Sequence, residues 1–454
     1  MPTITFVDRP CGTGKTTALI DELTQWDASR DRPVIVVTPR LSEVKRIING
    51  APSANIAQPD DGEAGATKLE DIETLLDAGR NIACTHALYV KLRRLAQRGK
   101  LSGYRMVIDE CPTPIELAPT ISKADFKNVI EAKGLATVDE TSGLVTPTDF
   151  WTERAAMGGK KSFAKQYALA ATGRLFVTEE RDLLMMAIPV EMLMAPASLV
   201  ILTYLSEGSL IAAYLDRLEV PYGVRKWAGE ADWIRKQRAL ISVETFDLPH
   251  VPVKRNQKRV DHAPMRLSFS GQTKKATEAT VKKLGTRLKK MQFEGPLKGV
   301  RKEDVMVTSA ADLWFADGTA QGGRKRCGPL SYNTGLKGSW SYDEAEARWH
   351  VTNGWTWVSN LTRGVNDHVN CSHAVYLFDQ HPNPILCKFL DKKPHVWGRR
   401  FALTEFVQWL YRSRVRLGQP VTVYVPSERM RTIILDWLNS PDNGEFSDDF
   451  EPIE

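Results

Sequence analysis

Runs of consecutive apolar residues, each closed by a turn residue, alternate along this chain with stretches of helical period. In the first half these are residues 3–7 (TITFV), 33–39 (PVIVVTP), 81–85 (NIACT), 104–110 (YRMVIDE) and 199–205 (LVILTYL). In the second half they are residues 304–309 (DVMVTS), 374–378 (AVYLF) and 420–425 (PVTVYV). A run that is apolar throughout, without alternation, predicts a strand covered on both faces, as in a parallel sheet. Residues 68–78 and 401–416 have the spacing of helices, and strands alternating with helices predict βαβ units. The chain therefore reads as α/β. Between residues 113 and 196 the strand rhythm lapses, which predicts a mainly helical insertion. Residues 348–357 (RWHVTNGWTW) predict a β-hairpin insertion about an Asn353-Gly354 turn. The pattern divides the chain into a first domain over residues 1–245, a second over 246–440 and a tail over 441–454.

Composition narrows the class. Hydrophobic residues make up 42% and charged residues 26% of the 454 positions, which excludes disordered, collagen-like and disulfide-knotted chains. No apolar run reaches the ~20 residues a membrane span needs; residues 183–205 are interrupted by Pro189, Glu191, Pro196 and Ser198. The opening Met-Pro-Thr-Ile, with Asp8 close behind, has no signal-peptide pattern. Cys11, Cys84, Cys111, Cys327, Cys371 and Cys387 lack metal or redox spacing and read as reduced thiols in a cytoplasm, the host's if the protein is viral. The net charge is only +6, but residues 251–302 hold 15 Lys and Arg against three acids, and residues 442–454 hold six acids and no base. A basic body with an acidic tail points to a polyanionic partner, the plainer alternative being a solvated lysine-rich face.

The first strand runs into Arg9-Pro-Cys-Gly-Thr-Gly-Lys-Thr-Thr17, and a helix-compatible stretch follows. Strand, glycine-rich loop, Lys, Thr and helix is the context of a phosphate-binding loop. Gly12, Thr13 and Gly14 turn backbone N–H groups inward. Lys15 reaches the terminal phosphates, Thr16 ligates a divalent cation and Thr17 completes the loop. The first position of the pattern, usually small, is Arg9. The strand at residues 104–110 ends in Asp109-Glu110, where Asp109 suits a metal and Glu110 suits orienting or deprotonating a water. Five of the twelve tryptophans (Trp314, Trp340, Trp349, Trp355, Trp357) crowd one stretch, as core or as base-stacking surface.

With these residues assembled, the chain resembles the superfamily-2 (DEAD/DEAH-like) helicases, in a phage-type form. The resemblance runs from the phosphate loop to about Arg431, with residues 113–196 outside it, and implies two RecA-like parallel-sheet domains in tandem. It implies ATP and Mg²⁺ at the loop and at Asp109. It also implies nucleic-acid contacts at Thr38, Arg40, Thr85, Thr203 and Thr308; the basic track, read from its charge, adds Lys282, Lys283, Lys289 and Lys290 as candidate contacts. Thr362-Arg-Gly-Val-Asn366 resembles the fifth motif, which usually ends in Asp; it implies Thr362 and Arg363 on nucleic acid and Gly364 and Asn366 at the nucleotide. Gln408 with Arg412 resembles the sixth motif, whose arginine acts on the γ-phosphate from the second domain. The family's preceding Gly and second Arg are here Tyr411 and Val415, so Arg414 and Arg416 both stand for the second finger. Leu361-Thr-Arg363 imitates a superfamily-1 motif, but residues 199–205 lack the Gly-Asp-x-x-Gln element of that group.

The expectation is an ATP-dependent helicase or translocase, a phage enzyme of replication, recombination or repair. It acts on DNA ahead of RNA, as a monomer rather than a ring and away from membranes. The acidic tail, with Phe446 and Phe450, reads as a solvating end or a dock for a protein partner. Two other classes stand beside this one. A viral DNA-packaging (terminase-like) ATPase would carry a nuclease, for which Asp367, Asp379 and Asp391 are the loose candidates. A non-motor nucleic-acid-binding or anti-defence protein would carry the ATPase without translocation.

Overall fold

The computed structural model describes residues 2–61, 67–110, 112–119, 121–158, 162–178, 180–181, 183–256, 259–316, 327–343, 348–361 and 367–443. The chain forms two compact units, Met1–Trp227 with Asn383–Pro394, and Ala228–Pro382 with His395–Glu454.

The first unit is built on a six-stranded sheet of β1 (Thr3–Asp8), β2 (Val34–Thr38), β3 (Ile82–Thr85), β4 (Arg105–Asp109), β5 (Ser198–Thr203) and β6 (Tyr222–Lys226). The order is β6-β1-β5-β4-β2-β3, with every pairing parallel. The loop-bearing β1 is thus separated from the acid-bearing β4 by β5, the RecA-like arrangement. β2 is buried at all five positions because both of its faces are covered. Leu19 and Leu23 of helix α1 (Lys15–Thr24) and Val44 and Ile47 of α2 (Leu41–Gly50) pack there against Val34, Val36 and Val107. Asp8 pairs with Thr203, Leu202 with Asp109 and Thr38 with Thr85. The C-terminal ends of β1 to β5 therefore share one sheet edge, where ligands of parallel sheets bind.

The insertion is mainly helical, as expected, but also carries short strands that the sequence pattern did not predict. Ile115–Leu117, Leu175–Val177 and Leu184–Ala187 form an antiparallel sheet, Ala136–Val138 and Val145–Pro147 a hairpin, and Asp149–Met157 and Ala164–Ala171 helices. Its own core gathers Phe126, Ile130, Val145, Trp151, Leu175 and Leu184. Strands of three or four residues are too short for their period to stand out in sequence. The late segment Asn383–Pro394 completes this unit. Phe389 meets Phe176 edge-on at 6.4 Å, Lys392 Nζ lies 2.6 Å from Asp216, Arg217 Nε donates to the Phe389 carbonyl at 3.2 Å, and Lys388 pairs with Glu180.

The second unit carries a parallel sheet of β7 (Ile241–Glu244), β10 (Val305–Thr308), β13 (Thr356–Trp357), β14 (His373–Tyr376) and β15 (Val421–Tyr424), in the order β7-β15-β14-β10-β13. Two antiparallel hairpins accompany it, β8 (His250–Asn256) with β9 (Arg259–Pro264) and β11 (Ser339–Asp343) with β12 (Arg348–Thr352). This unit begins at Ala228, not near residue 245, because helix Glu230–Leu240 packs on helix Glu428–Asn443. There Trp233 meets Trp437 at 6.2 Å and Arg238 bonds Asp442 at 2.6 Å. The predicted hairpin about Asn353-Gly354 is displaced. β12 pairs backward with β11, and Asn353, at φ 56°, turns the chain into β13, which joins the sheet. Trp314 and Trp355 are core residues, each 1% exposed. The predicted helix at residues 401–416 spans Pro394–Leu410 instead. It is buried on nearly every side and so lacks an amphipathic signature, and Ser413 Oγ ends it by donating to the Leu410 carbonyl at 2.7 Å. Among the described residues no helix is long and apolar enough to cross a membrane.

Candidate nucleotide site

β1 delivers the chain into the loop, and α1 starts at Lys15. Gly12 (φ 76°) and Gly14 (φ 80°) occupy the left-handed region that only glycine enters freely. Gly14 caps α1 without a side-chain bond, which leaves the first-turn N–H groups available to an anion. Lys15 Nζ donates to the carbonyls of Arg9 (2.7 Å) and Pro10 (3.3 Å) and so lies across its own loop. Thr13 Oγ1 donates to the Pro10 carbonyl at 2.7 Å and accepts from Arg9 Nε at 3.1 Å.

Thr16 Oγ1 donates to Asp109 Oδ2 at 2.8 Å, a bond spanning 93 positions that ties the loop to the acid strand across the intervening β5. Asp109 is 7% exposed. Burial pushes its carboxyl up to about 6, Glu110 and Glu43 push the same way, and the Thr16 bond and Lys15 pull back. Glu110 stands at φ 51°, a conformation that costs a non-glycine residue about 1–3 kcal/mol and that collects at working sites. Its N–H donates to the Leu202 carbonyl at 3.2 Å. The hydroxyl of Thr16 and the carboxylate of Asp109 are adjacent hard oxygens. A buried carboxylate beside a second acid is the donor set a small divalent cation stabilises, so the residues fit Mg²⁺.

Three residues at this edge escaped the sequence reading. His86 Nε2 lies 3.1 Å from the Asp109 carbonyl. Burial lowers its pKa to about 4, so the ring is neutral at pH 7 and donates from Nε2. Asp8 accepts from the N–H groups of Leu205 (2.9 Å) and Ser206 (2.8 Å) and from Ser206 Oγ (2.6 Å), which binds the turn after β5 to the strand before the loop. Trp227 lies under the Arg9 guanidinium. Their weak signals were an acid closing an apolar strand, a histidine directly after Thr85 and an aromatic just past an edge strand.

The other candidates fall as follows. Thr38, Thr85 and Thr203 join Asp109 and the loop at the same edge; Thr38 is fully buried with its hydroxyl on the Arg40 carbonyl at 3.0 Å, and Arg40 is exposed. In the second unit, Thr308 is buried at the end of β10. Lys282, Lys283, Lys289 and Lys290 line the exposed side of α3 (Glu278–Phe293), Lys282 bridged to Glu278 at 2.7 Å. Gln408 lies on the long helix that Arg412 has already left. Arg412 is 2% exposed in the following turn, Arg414 donates to the Pro420 carbonyl, and Arg416 is half-buried in a 3₁₀ turn. Thr362, Arg363, Gly364, Asn366 and the acidic tail from residue 444 on lie outside the described residues.

Residues 238–438 match the model of the YonV C-terminal Rossmann-like domain. The chain is 24% identical over 453 residues to the SPbeta prophage-derived protein YonV of Bacillus subtilis (strain 168), with 97% of this chain and 100% of that one covered. Among solved structures it is similar to S. tokodaii Xpd4, at 13% identity and TM-score 0.45, covering 96% of this chain and 94% of that one. It is also similar to S. cerevisiae Dbp5 bound to RNA and ADP BeF3, at 11% identity and TM-score 0.42, covering 98% and 85%.

Proposed function

We propose that this chain is a nucleic-acid-stimulated ATPase, a phage helicase or translocase that works on DNA in the host cytoplasm. The observation that carries the reading is the 2.8 Å bond from Thr16 to Asp109, which sets a phosphate loop and an acid pair together at one sheet edge. Lys15 exchanges the Arg9 and Pro10 carbonyls for phosphate oxygens, while the α1 N-terminus and the Gly12 and Gly14 turns cradle the anion. Thr16 and Asp109 would hold Mg²⁺, whose charge would offset that of the phosphates when bound. Glu110, on its strained backbone, orients the attacking water and takes its proton. Arg40, exposed, and Thr85, half-buried, at the ends of neighbouring strands, carry a nucleic-acid strand past that edge, while Thr38 and Thr203, both buried, shape the strand ends beside them. Asp8 links the phosphate loop directly to the Thr203 turn, a short route by which the two ligands feel each other. The nuclease that a packaging enzyme requires finds no support in the loose acids: Asp379 is engaged by Arg429 (3.0 Å) and His381 (3.0 Å), and Asp391 belongs to the other unit.

ATP turnover with single- and double-stranded DNA and RNA tests the reading, together with two substitutions. Lys15→Ala removes a ground-state phosphate contact and weakens ATP binding. Glu110→Gln leaves binding intact and stops hydrolysis. Stimulation by DNA above RNA is expected. Wild-type turnover by Glu110→Gln, or a rate indifferent to every nucleic acid, rejects the motor.

A further inference from the structure

Phosphate loops usually carry a small residue where this chain has Arg9, and that side chain is held at the rim of the loop. Its Nε donates to Thr13 Oγ1 at 3.1 Å, and its guanidinium carbon lies 5.2 Å from the centre of the Trp227 indole. Its own N–H donates to the Thr203 carbonyl at 3.0 Å, and its carbonyl accepts from Lys15. Trp227 follows directly on β6, which runs parallel to β1 with Lys226 opposite Asp8. Arg9 and Trp227 therefore leave the sheet side by side, on the edge that carries the phosphate loop. Trp227 is half-buried, so part of the ring stays within reach of a ligand. A guanidinium held against an indole at this distance is a cation–π pair, and the weakly hydrated guanidinium and the aromatic face are both groups against which a base can lie.

We propose that Arg9 and Trp227 form the base-side wall of the nucleotide site, on which the purine of a nucleoside triphosphate stacks while the loop holds its phosphates. The proposal rests on the phosphate-loop reading and adds to it what contacts the base. Stacking reads a ring face and not its hydrogen-bonding edge. ATP and GTP are thus expected to bind within a few-fold of each other, and the smaller pyrimidines more weakly.

The test is calorimetric titration of the full chain with ATP and with inorganic tripolyphosphate, which offers phosphates without a base, at fixed Mg²⁺. Trp227→Ala should weaken ATP about ten-fold or more, as loss of a base–aromatic stack does, and leave tripolyphosphate within two-fold. Trp227→Phe should recover most of the loss, and Lys15→Ala should weaken both ligands. Equal weakening of both ligands by Trp227→Ala assigns the pair to bracing the loop and overturns the proposal, as does unchanged ATP affinity. If the wild-type chain binds neither ligand, the phosphate-loop reading fails and the base wall with it.

Discussion

Asp109 is held where its charge is least comfortable, and that discomfort is measurable. Its carboxyl titrates near 6 in the folded chain against an ordinary 3.8. The folded state thus binds the proton more tightly than the unfolded one. The stability this group contributes is whole below about pH 4 and is lost as pH rises through 6. A tenfold difference in proton affinity between the two states is worth ~1.4 kcal/mol. In chelator-containing buffer, Asp109→Asn should therefore stabilise the protein by about 2–3 kcal/mol at pH 8 and by only about 0.5 kcal/mol at pH 4. Denaturant melts at the two pH values check this. The amide still accepts from Thr16, so a loss of stability at pH 8 would mean that the native fold favours the charge. The variant should also lose ATP turnover, because an amide is a poor substitute for a metal-binding carboxylate.

Elements were legible in proportion to how uniformly they are buried. β2 and β4, buried along nearly their whole length, stand out in sequence by their unbroken apolar runs, and so does the loop whose glycines must adopt positive φ. β6, the edge strand YGVRK, is mostly exposed and gave no signal. The helix Pro394–Leu410 is obscure for the opposite reason: it is buried on nearly every side and carries polar residues such as Arg399 and Glu405 among its buried positions, so no apolar stripe marks its ends. That misplacement matters for the arginine finger. Arg412→Ala, Arg414→Ala and Arg416→Ala should separate in paired rate and melting measurements. Arg412, 2% exposed, is expected to lower the melting temperature, whereas a true finger lowers stimulated turnover by ~10³-fold or more at unchanged stability. If none lowers turnover, this segment does not serve the γ-phosphate. The helix α3 was read correctly as basic, and its apolar side, with Val281, Leu284 and Leu288, is buried while the four lysines face outward. Neutralising Lys282, Lys283, Lys289 and Lys290 should weaken binding to all nucleic-acid sequences alike and flatten the log affinity–log salt slope by up to about 3. An unchanged slope would make this a merely solvated face.

At the scale of the molecule, two tandem sheets were readable because each is a series of buried strands, but their boundary was not, because it is set by contacts between residues far apart in sequence. Nothing local in residues 383–394 announces that they complete the first unit. Leu390 is 1% exposed there, and Leu390→Ala should destabilise that unit by about 2–4 kcal/mol. Hydrogen exchange should register the loss in residues 1–227; protection unchanged there would detach this segment from the first unit's stability. The discontinuity also has a consequence in time. Domains commonly fold as they leave the ribosome, at about 5–20 residues per second. The first unit, however, lacks its last piece until synthesis has passed residue 394, on the order of ten to thirty seconds after residue 227 at those speeds. Through that interval the unit bearing the phosphate loop waits with the seat for Cys387 and Leu390 unfilled, and much of the second unit is made before the first can close.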